Sequence, residues 1–581
     1  MTVAGPGFLP PSPRVAPAGR RRLFVALVLG VALGLTAWGW ALMSAEGWTV
    51  WEILLLVCLA ANAPWLGLSA ATGLVGGAIR LTSRDPSRAV LPALRTLDPA
   101  APVASRTLLA VCVRNEDVDE VLAPLGPLLR DLEDAAPGRF AVGLLSDTND
   151  PAHAAAEERA VAAFAAAHGE GSILYRRRAE NTGYKAGNVM SFLDAHGDAF
   201  EFALMLDADS EMSAAKVLRL VRVAQSDPRL AVLQPTIWGR EPRTPFARVF
   251  GFGHRHGSRV WATGQAWWQD EEGPYWGHNA LLRVAPFRAH CRLDLLPDGS
   301  HVLSHDHVEA ARLHGAGWGV RVLPEDEGSR EAHPPNLRSF LSRDLRWAAG
   351  NMQYRHLLSD ERLSPLGRFQ MVQCIAHYAL TPLWFGMLPL AALNAATGGG
   401  EGTSRLGLVG LLLAGWAATH LPKLMGYAEA ALGRLRDREA AREATPGAML
   451  RELAFTTLFD PLSAFDKTLT VTKLALGLGR GWPPNERVAR AVSWGQAWRL
   501  FWPHTLAGVA LLALFAAGGP FAFFAALPFV AGMALSVPFC VLTSRPYGGG
   551  GAATTAVATA RAASSSAARP SAGGGMAEGT T

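Results

Sequence analysis

Charge is scarce in this sequence. Only 18% of its 581 residues are Asp, Glu, Lys or Arg, against about 25% in a typical soluble domain, and the mean hydropathy is +0.15. The shortage is uneven: apolar runs lie toward the two ends and nearly all the acids lie between them. That pattern excludes a disordered chain and a purely soluble enzyme. Cysteine is scarcer still. Cys58, Cys112, Cys291, Cys374 and Cys540 are scattered, with no C-x-x-C pair, so neither a disulfide framework nor a zinc knuckle is expected. A long Lys/Arg tract is also missing from the folded part, although the net charge is +5 and the pI about 9.1. The arginines flank the apolar runs, which suits membrane orientation and excludes nucleic acid as a partner.

Residues 23–43 and 53–79 carry no charged side chain, and about 20 apolar residues span a bilayer core. Arg20, Arg21 and Arg22 precede the first run as in a signal peptide. A secretory core is only about 7–15 residues long, and a second run follows at once, so both read as membrane helices. Arg80, Arg84 and Arg88 follow the second run, and basic flanks mark the cytoplasmic side. Further spans are expected at residues 371–396, 406–422, 500–518 and 521–542, the last two forming a hairpin broken at Gly519-Pro520. Residues 450–478 are apolar but interrupted by Asp460, Asp466, Lys467 and Lys473, each costing about 2.5–3.5 kcal/mol at mid-bilayer. An amphipathic helix in the interface is expected there, giving six spans, or eight if that stretch crosses twice. Residues 1–19 and 546–581 read as disordered tails, rich in Pro and Ala and in Gly, Ala, Ser and Thr respectively.

Between residues 100 and 355 short apolar strands alternate with Ala-rich helices. Residues 107–113 (TLLAVCV), 140–145, 173–175 and 202–206 (FALML) read as strands, and 152–167 and 185–195 as helices. Such alternation implies a mostly parallel sheet covered on both faces, with ligands beyond the carboxyl ends of its strands. Arg114-Asn115-Glu116-Asp117, Ser146-Asp147 and Asp207-Ala208-Asp209 directly follow three of the strands. Two carboxylates at i, i+2 leaving a strand can converge on one hard cation, Mg²⁺ or Mn²⁺. Residues 181–188 (NTGYKAGN) set Lys185 and two glycines at a helix start, where backbone N–H groups suit an anion.

Each motif has an ordinary alternative. D-x-D triplets are common in loops, and a helix cap explains Gly-Tyr-Lys-Ala-Gly. In Ser304-His305-Asp306-His307 adjacent His and Asp residues do not converge on one ion, so two of these side chains read as structural. Trp267, Trp268 and Trp276 fit core packing, and Arg346-Trp347 fits a helix start. Order and company single these motifs out.

That order, Asp147, Lys185-Ala186-Gly187-Asn188, Asp207-Ala208-Asp209, Gly277-His278-Asn279, Asp306 and Arg346-Trp347, resembles the processive family 2 glycosyltransferases. The phrases YWGHNALLR, LSHDHVEAA and SRDLRWAAGN look most like the glucans biosynthesis glucosyltransferase H family. The resemblance runs from about residue 20 to residue 545. It implies an α/β GT-A domain, with a Rossmann-like nucleotide-sugar fold, set between transmembrane helices in a multi-pass protein of the bacterial inner membrane, catalytic domain and both termini cytoplasmic. It further implies UDP-glucose as donor, a growing β-1,2-glucan of the osmoregulated periplasmic type as acceptor, and single-displacement inversion. The expected metal ligands are Asp207 and Asp209, holding Mg²⁺ or Mn²⁺. Asp147, Lys185, Asn188, Asp207, His278 and Asn279 are the expected substrate contacts. Asp306 is the expected general base, Arg346 the diphosphate partner and Trp347 the sugar platform. A periplasmic glucan-biosynthesis protein G and acyl carrier protein are implied partners. Two departures stand out: His305 replaces the acid that usually precedes the base, and Arg343 replaces the Gln of Q-x-x-R-W. The chain also looks shorter than many relatives. His377, Tyr378, Trp384 and Trp416 are candidates to line a path across the membrane, and residues 470–473 faintly resemble a gating loop. The alternatives are a synthase of another polysaccharide of the cellulose or hyaluronan type, a transferase acting on a lipid carrier, a non-catalytic nucleotide-sugar sensor, and a channel.

Overall fold

The computed structural model describes residues 18–45, 47–478 and 490–547. The expected tails fall outside these residues, apart from 18–19 and 546–547, as do Glu46, Arg480 and Arg487. Ten strands follow in chain order: β1 (Thr107–Val113), β2 (Phe140–Ser146), β3 (Ile173–Arg177), β4 (Phe202–Asp207), β5 (Glu211–Met212), β6 (Leu230–Pro235), β7 (Trp238–Gly239), β8 (Ala280–Arg283), β9 (Gly319–Leu323) and β10 (Ser329–Glu331). Seven of them form one sheet in the order β3-β2-β1-β4-β8-β6-β9, and three form a small sheet, β5-β10-β7. All neighbours in the large sheet are parallel except β8, which runs antiparallel between β4 and β6.

Side-chain alternation explains the uniformly apolar strands. Leu109, Val111 and Val113 pack on one face with Leu128, Leu129 and Leu132 of helix Leu125–Ala135 and with Val217, Leu220 and Val221 of helix Ala214–Ser226. Leu108 and Ala110 point the other way, against Val189, Phe192 and Leu193 of helix Tyr184–His196. Both faces of β1 are dry, so residues 108–113 are apolar without alternation. The register sets Cys112 opposite Asp207 and Val113 opposite Ser146, so the carboxyl ends of β1, β2 and β4 finish level. Asp147 and Asp207 therefore leave the sheet at one edge, the location where open α/β sheets bind ligands.

Among the described residues, five helices are long and apolar enough to cross a membrane: Ala18–Met43, Val50–Thr82, Pro365–Ala396, Arg405–Ala431 and Trp494–Ala517. A pair bent by 58°, Pro520–Ala534 and Ser536–Thr543, makes a sixth. These match the six apolar runs of the sequence. Helix Val50–Thr82 also grips helix Pro245–Gln269 through two glycines. A Cβ on Gly76 would lie 2.0 Å from the Val260 carbonyl oxygen, and one on Gly264 would lie 2.3 Å from that of Thr72. Beside this contact Arg80 is buried and pairs with Glu429 of helix Arg405–Ala431 at 2.8 Å. Its charge is spent inside the protein, whereas Arg84 and Arg88 are exposed.

Helix Pro446–Ala475 is continuous through Pro461, so the stretch does not turn back on itself. Its charges are matched by neighbouring helices. Glu452 takes Lys423 (2.6 Å) and Tyr427, Asp460 takes His420 (3.0 Å), Lys467 takes Asp344 (3.7 Å) with His377 3.2 Å away, and Asp466 lies 3.7 Å from His504. Its apolar side chains Phe455, Phe459 and Leu462 share a core with Phe246, Leu337 and Leu341. The tryptophans keep their ordinary reading: Trp268 stacks on Phe24 at 4.3 Å, Trp267 lies under Arg20, and Trp276 packs beside Ala262 and Val322.

The two glycines give a prediction. Gly76→Ala forces backbone displacement and should cost about 1–3 kcal/mol, read as a lower thermal midpoint of the detergent-solubilised chain. Gly415→Ala, where a Cβ meets nothing within 4 Å, should leave the midpoint unchanged or slightly raised.

Candidate active site

The site grows from the carboxyl edge of the sheet. Asp147 follows β2, and its carboxylate receives two parallel hydrogen bonds from Arg178, both 2.7 Å, while Asn181 donates to its carbonyl at 2.7 Å. Arg178 also donates to the carbonyls of Thr182 (2.8 Å) and Tyr184 (2.9 Å). It thereby holds the turn in which Gly183 and Tyr184 are both left-handed, with φ of 71° and 51°. That turn delivers Lys185 into the cleft. Its ammonium pairs with Asp207 at the end of β4 and donates to the Gly277 carbonyl at 2.8 Å. Burial disfavours the Lys185 charge, but Asp207 outweighs it and raises the pKa.

Gly277 brings in the next group. Asp306, the first residue of helix Asp306–Gly315, packs against it, its Oδ2 3.6 Å from where a Gly277 Cβ would sit. Burial would raise the Asp306 pKa, but His307, 3.6 Å away, and then His305 hold it well below the usual carboxylate range. His305 is itself committed to Glu309 at 2.9 Å. The two histidines around Asp306 thus support it, as the sequence pattern suggests.

A third group closes the cleft. His278 Nδ1 lies 3.0 Å from Glu331 Oε2, without the alignment of a hydrogen bond. Burial opposes the imidazolium, yet Glu331 pushes its pKa up to about 9. Asp207, His278 and Glu331 each offer a ligand atom within 4.8 Å of the others. One imidazole and two carboxylates suit a divalent cation and favour Mn²⁺ more than an all-oxygen set would. Asp209 is not in this trio; it lies close enough to Arg343 to support that residue's charge.

Lys185, Asp207, His278 and Asp306 therefore come together. Asn188 and Asn279 sit deeper: the Asn188 amide is engaged by the Leu145 carbonyl (3.0 Å) and Arg176 (2.7 Å), and Asn279 donates to Ser329 Oγ (3.1 Å). Arg346 and Trp347 lie on helix Leu337–Gln353, and the Trp347 ring is 45% exposed. Glu331 escaped the sequence reading because β10 is only three residues long, too short for any alternation to show. Arg178 was overlooked within the Arg176-Arg177-Arg178 run; its place as the first residue after β3 was the available signal.

Comparison with known proteins bears on this arrangement. Residues 110–291 match glycosyl transferase family 2, and residues 202–422 match glycosyl transferase family group 2. A glucans biosynthesis glucosyltransferase H of Cereibacter sphaeroides is 35% identical over 83% of this chain and 84% of its own length. The chain belongs to the glucans biosynthesis glucosyltransferase H family. Relatives of the same name from Bradyrhizobium diazoefficiens and Xanthomonas euvesicatoria are each 32% identical, over 90% and 87% of the chain and 73% and 82% of their own lengths. Among solved structures, the Pyrobaculum calidifontis mannosyltransferase in complex with GDP-mannose and Mn²⁺ covers 62% of this chain and 98% of its own, at 15% identity and a TM-score of 0.38. The family assignment makes the chain a glycosyltransferase of glucan synthesis, with a GT-A domain carried in a membrane protein.

The trio is testable directly. Glu331→Gln and His278→Gln should each weaken Mn²⁺ binding by about 10–100-fold or more, since even supporting residues cost that much. Calorimetric titration of the purified full chain measures it, and loss of the nitrogen coupling in the Mn²⁺ spin-echo spectrum should accompany His278→Gln alone.

Proposed function

We propose that this chain polymerises glucose from UDP-glucose into a β-1,2-linked glucan backbone, working at the cytoplasmic face of the bacterial inner membrane and passing the product outward. The observation that carries this reading is the meeting of Lys185, Asp207, His278 and Glu331 with Asp306 across Gly277. One side of the cleft suits a diphosphate, and the other offers an ionised carboxylate.

In this reading Asp147, oriented by Arg178, accepts from the nucleobase, and Lys185 meets the diphosphate. A divalent cation held by Asp207, His278 and Glu331, with Asp209 nearby, would neutralise charge as the diphosphate departs. Asp306 takes the proton of the acceptor hydroxyl while that oxygen attacks C1 and the C1–diphosphate bond breaks. A single displacement inverts the anomeric carbon, so an α-linked donor gives a β-linked product. The exposed Trp347 ring provides a flat apolar seat for the acceptor sugar, and Arg346 a guanidinium fork for the leaving diphosphate. Support for export comes from the polar side chains that continue from this helix toward the membrane segments. Tyr378 donates to Asp344 at 3.1 Å, and Lys467 lies between Asp344 and His377. The basic flanks Arg84, Arg88 and Arg545 support a cytoplasmic catalytic domain.

Asp306→Asn should abolish incorporation of radiolabelled glucose into polymer, by at least about 100-fold, while UDP binding persists. A variant that still polymerises removes Asp306 as the base, whereas a wild type that binds UDP and forms no polymer favours a sensor. The pH profile tests the base separately. With its pKa held down by His307, Asp306 is ionised throughout the neutral and mildly acid range and sets no acid limb there. His307→Gln should let it rise toward the ordinary value of about 3.9, lowering activity at pH 4–5 relative to pH 7.5 more than in the wild type.

A further inference from the structure

Glu331 stands on a slight footing for a residue that is to hold a cation. It ends β10, and the small sheet around it has strands of only two, two and three residues. Ladders this short do not stand alone in water, and strand ends open first. β7 supports Glu331 directly. Trp238 and Gly239 pair with Arg330 and Glu331, and the Arg240 N–H donates to the Glu331 carbonyl at 2.8 Å. What holds β7 therefore decides where Glu331 sits.

The Trp238 ring is the anchor. Its centroid lies 3.3 Å from the Arg255 guanidinium carbon, a stacking distance, and 4.8 Å from that of Arg330 across the ladder. Arg255 comes from helix Pro245–Gln269 and is buried. Its Nε donates to Asp326 at 2.8 Å, and its Nη2 pairs with Asp437. The Asp326 carbonyl in turn accepts from Ser329, the first residue of β10, at 3.2 Å. Asp437 lies between helices Arg405–Ala431 and Pro446–Ala475, where its Oδ1 caps the short helix Arg438–Glu443 by accepting from the Ala440 N–H at 3.3 Å. A desolvated ion pair adds little stability over apolar packing of the same volume; what it can supply is a fixed direction for each partner.

We infer that Arg255 and Trp238 are positioning residues for the divalent cation. Their stack sets where β7, and through it the Glu331 carboxylate, lies relative to Asp207 and His278. Asp437 ties that position to the chain joining the two helices. The inference rests on the trio as the seat of the cation and adds the residues that hold one of its members in place.

The experiment is calorimetric titration of the full-length chain in detergent with Mn²⁺ alone, with the thermal midpoint and the Mn²⁺ spin-echo spectrum recorded on each variant. Trp238→Leu should weaken Mn²⁺ binding about tenfold, the lower end for a residue that supports a metal ligand. Trp238→Phe keeps an aromatic face against Arg255 and should stay within about threefold of the wild type. The nitrogen coupling from His278 should survive in both, because His278 does not belong to the small sheet. In a Glu331→Gln background Trp238→Leu should cause no further loss, since the two act through one carboxylate. Asp437→Asn keeps a cap for helix Arg438–Glu443 and removes the charge, and should weaken binding about threefold. Unchanged affinity in Trp238→Leu overturns the inference, and so does a full further loss on top of Glu331→Gln, which would put the effect outside the trio. Where Trp238→Leu lowers the midpoint sharply, Asp437→Asn decides instead, and unchanged affinity there overturns the inference. A wild type that binds Mn²⁺ while Trp238→Leu binds it equally well removes this inference alone; a wild type that binds none removes the trio and the inference with it.

Discussion

Asp207, Asp306 and Glu331 gather at the end of a dry sheet, where uncompensated carboxylates are expensive. Each is answered by a nearby cation: Lys185 for Asp207, His307 for Asp306, His278 for Glu331. This matching of charge is the constraint on which the cleft depends. It explains why the polypeptide brings distant segments together here: the turn before helix Tyr184–His196, the loop before β8, the start of helix Asp306–Gly315 and the short strand β10. Removing one partner would leave its acid repelling the others across a few ångströms of low dielectric. A ligand that carries its own anionic and cationic parts enters such a place by exchange, taking over partners already present.

Backbone geometry serves that arrangement. The consecutive left-handed residues Gly183 and Tyr184 turn the chain sharply enough for Lys185 to face Asp207, and the Arg178 hydrogen bonds to Thr182 and Tyr184 keep the turn in place. Because Arg178 also grips Asp147, the floor of the cleft and the lysine move together.

Much of this was legible in the amino-acid sequence, for identifiable reasons. β1, β2 and β4 are buried on both faces, so their apolar runs are unbroken and each ends at a polar residue. The six apolar helices announce themselves by length. β8 was not legible as an antiparallel intruder, because two-sided burial writes the same apolar pattern in either direction. Helix Pro446–Ala475 misled in a different way. Its charges suggested a polar face toward headgroups, whereas Glu452, Asp460 and Lys467 pair with Lys423, His420 and Asp344 on other helices. The Asp-Ala-Asp triplet pointed to the right edge of the sheet. It did not reveal that Asp207 would meet His278 and Glu331, which lie 71 and 124 positions further along the chain.

The interlocked glycines of helices Val50–Thr82 and Pro245–Gln269 have a mechanical meaning. Where an added Cβ would fall 2.0–2.3 Å from the facing carbonyl oxygen, no layer of side chains remains to let one helix slide or roll over the other. The first membrane hairpin and the catalytic sheet therefore behave as a single solid piece. Any rearrangement that accompanies glycosyl transfer must be absorbed elsewhere, where longer side chains leave slack between the remaining helices.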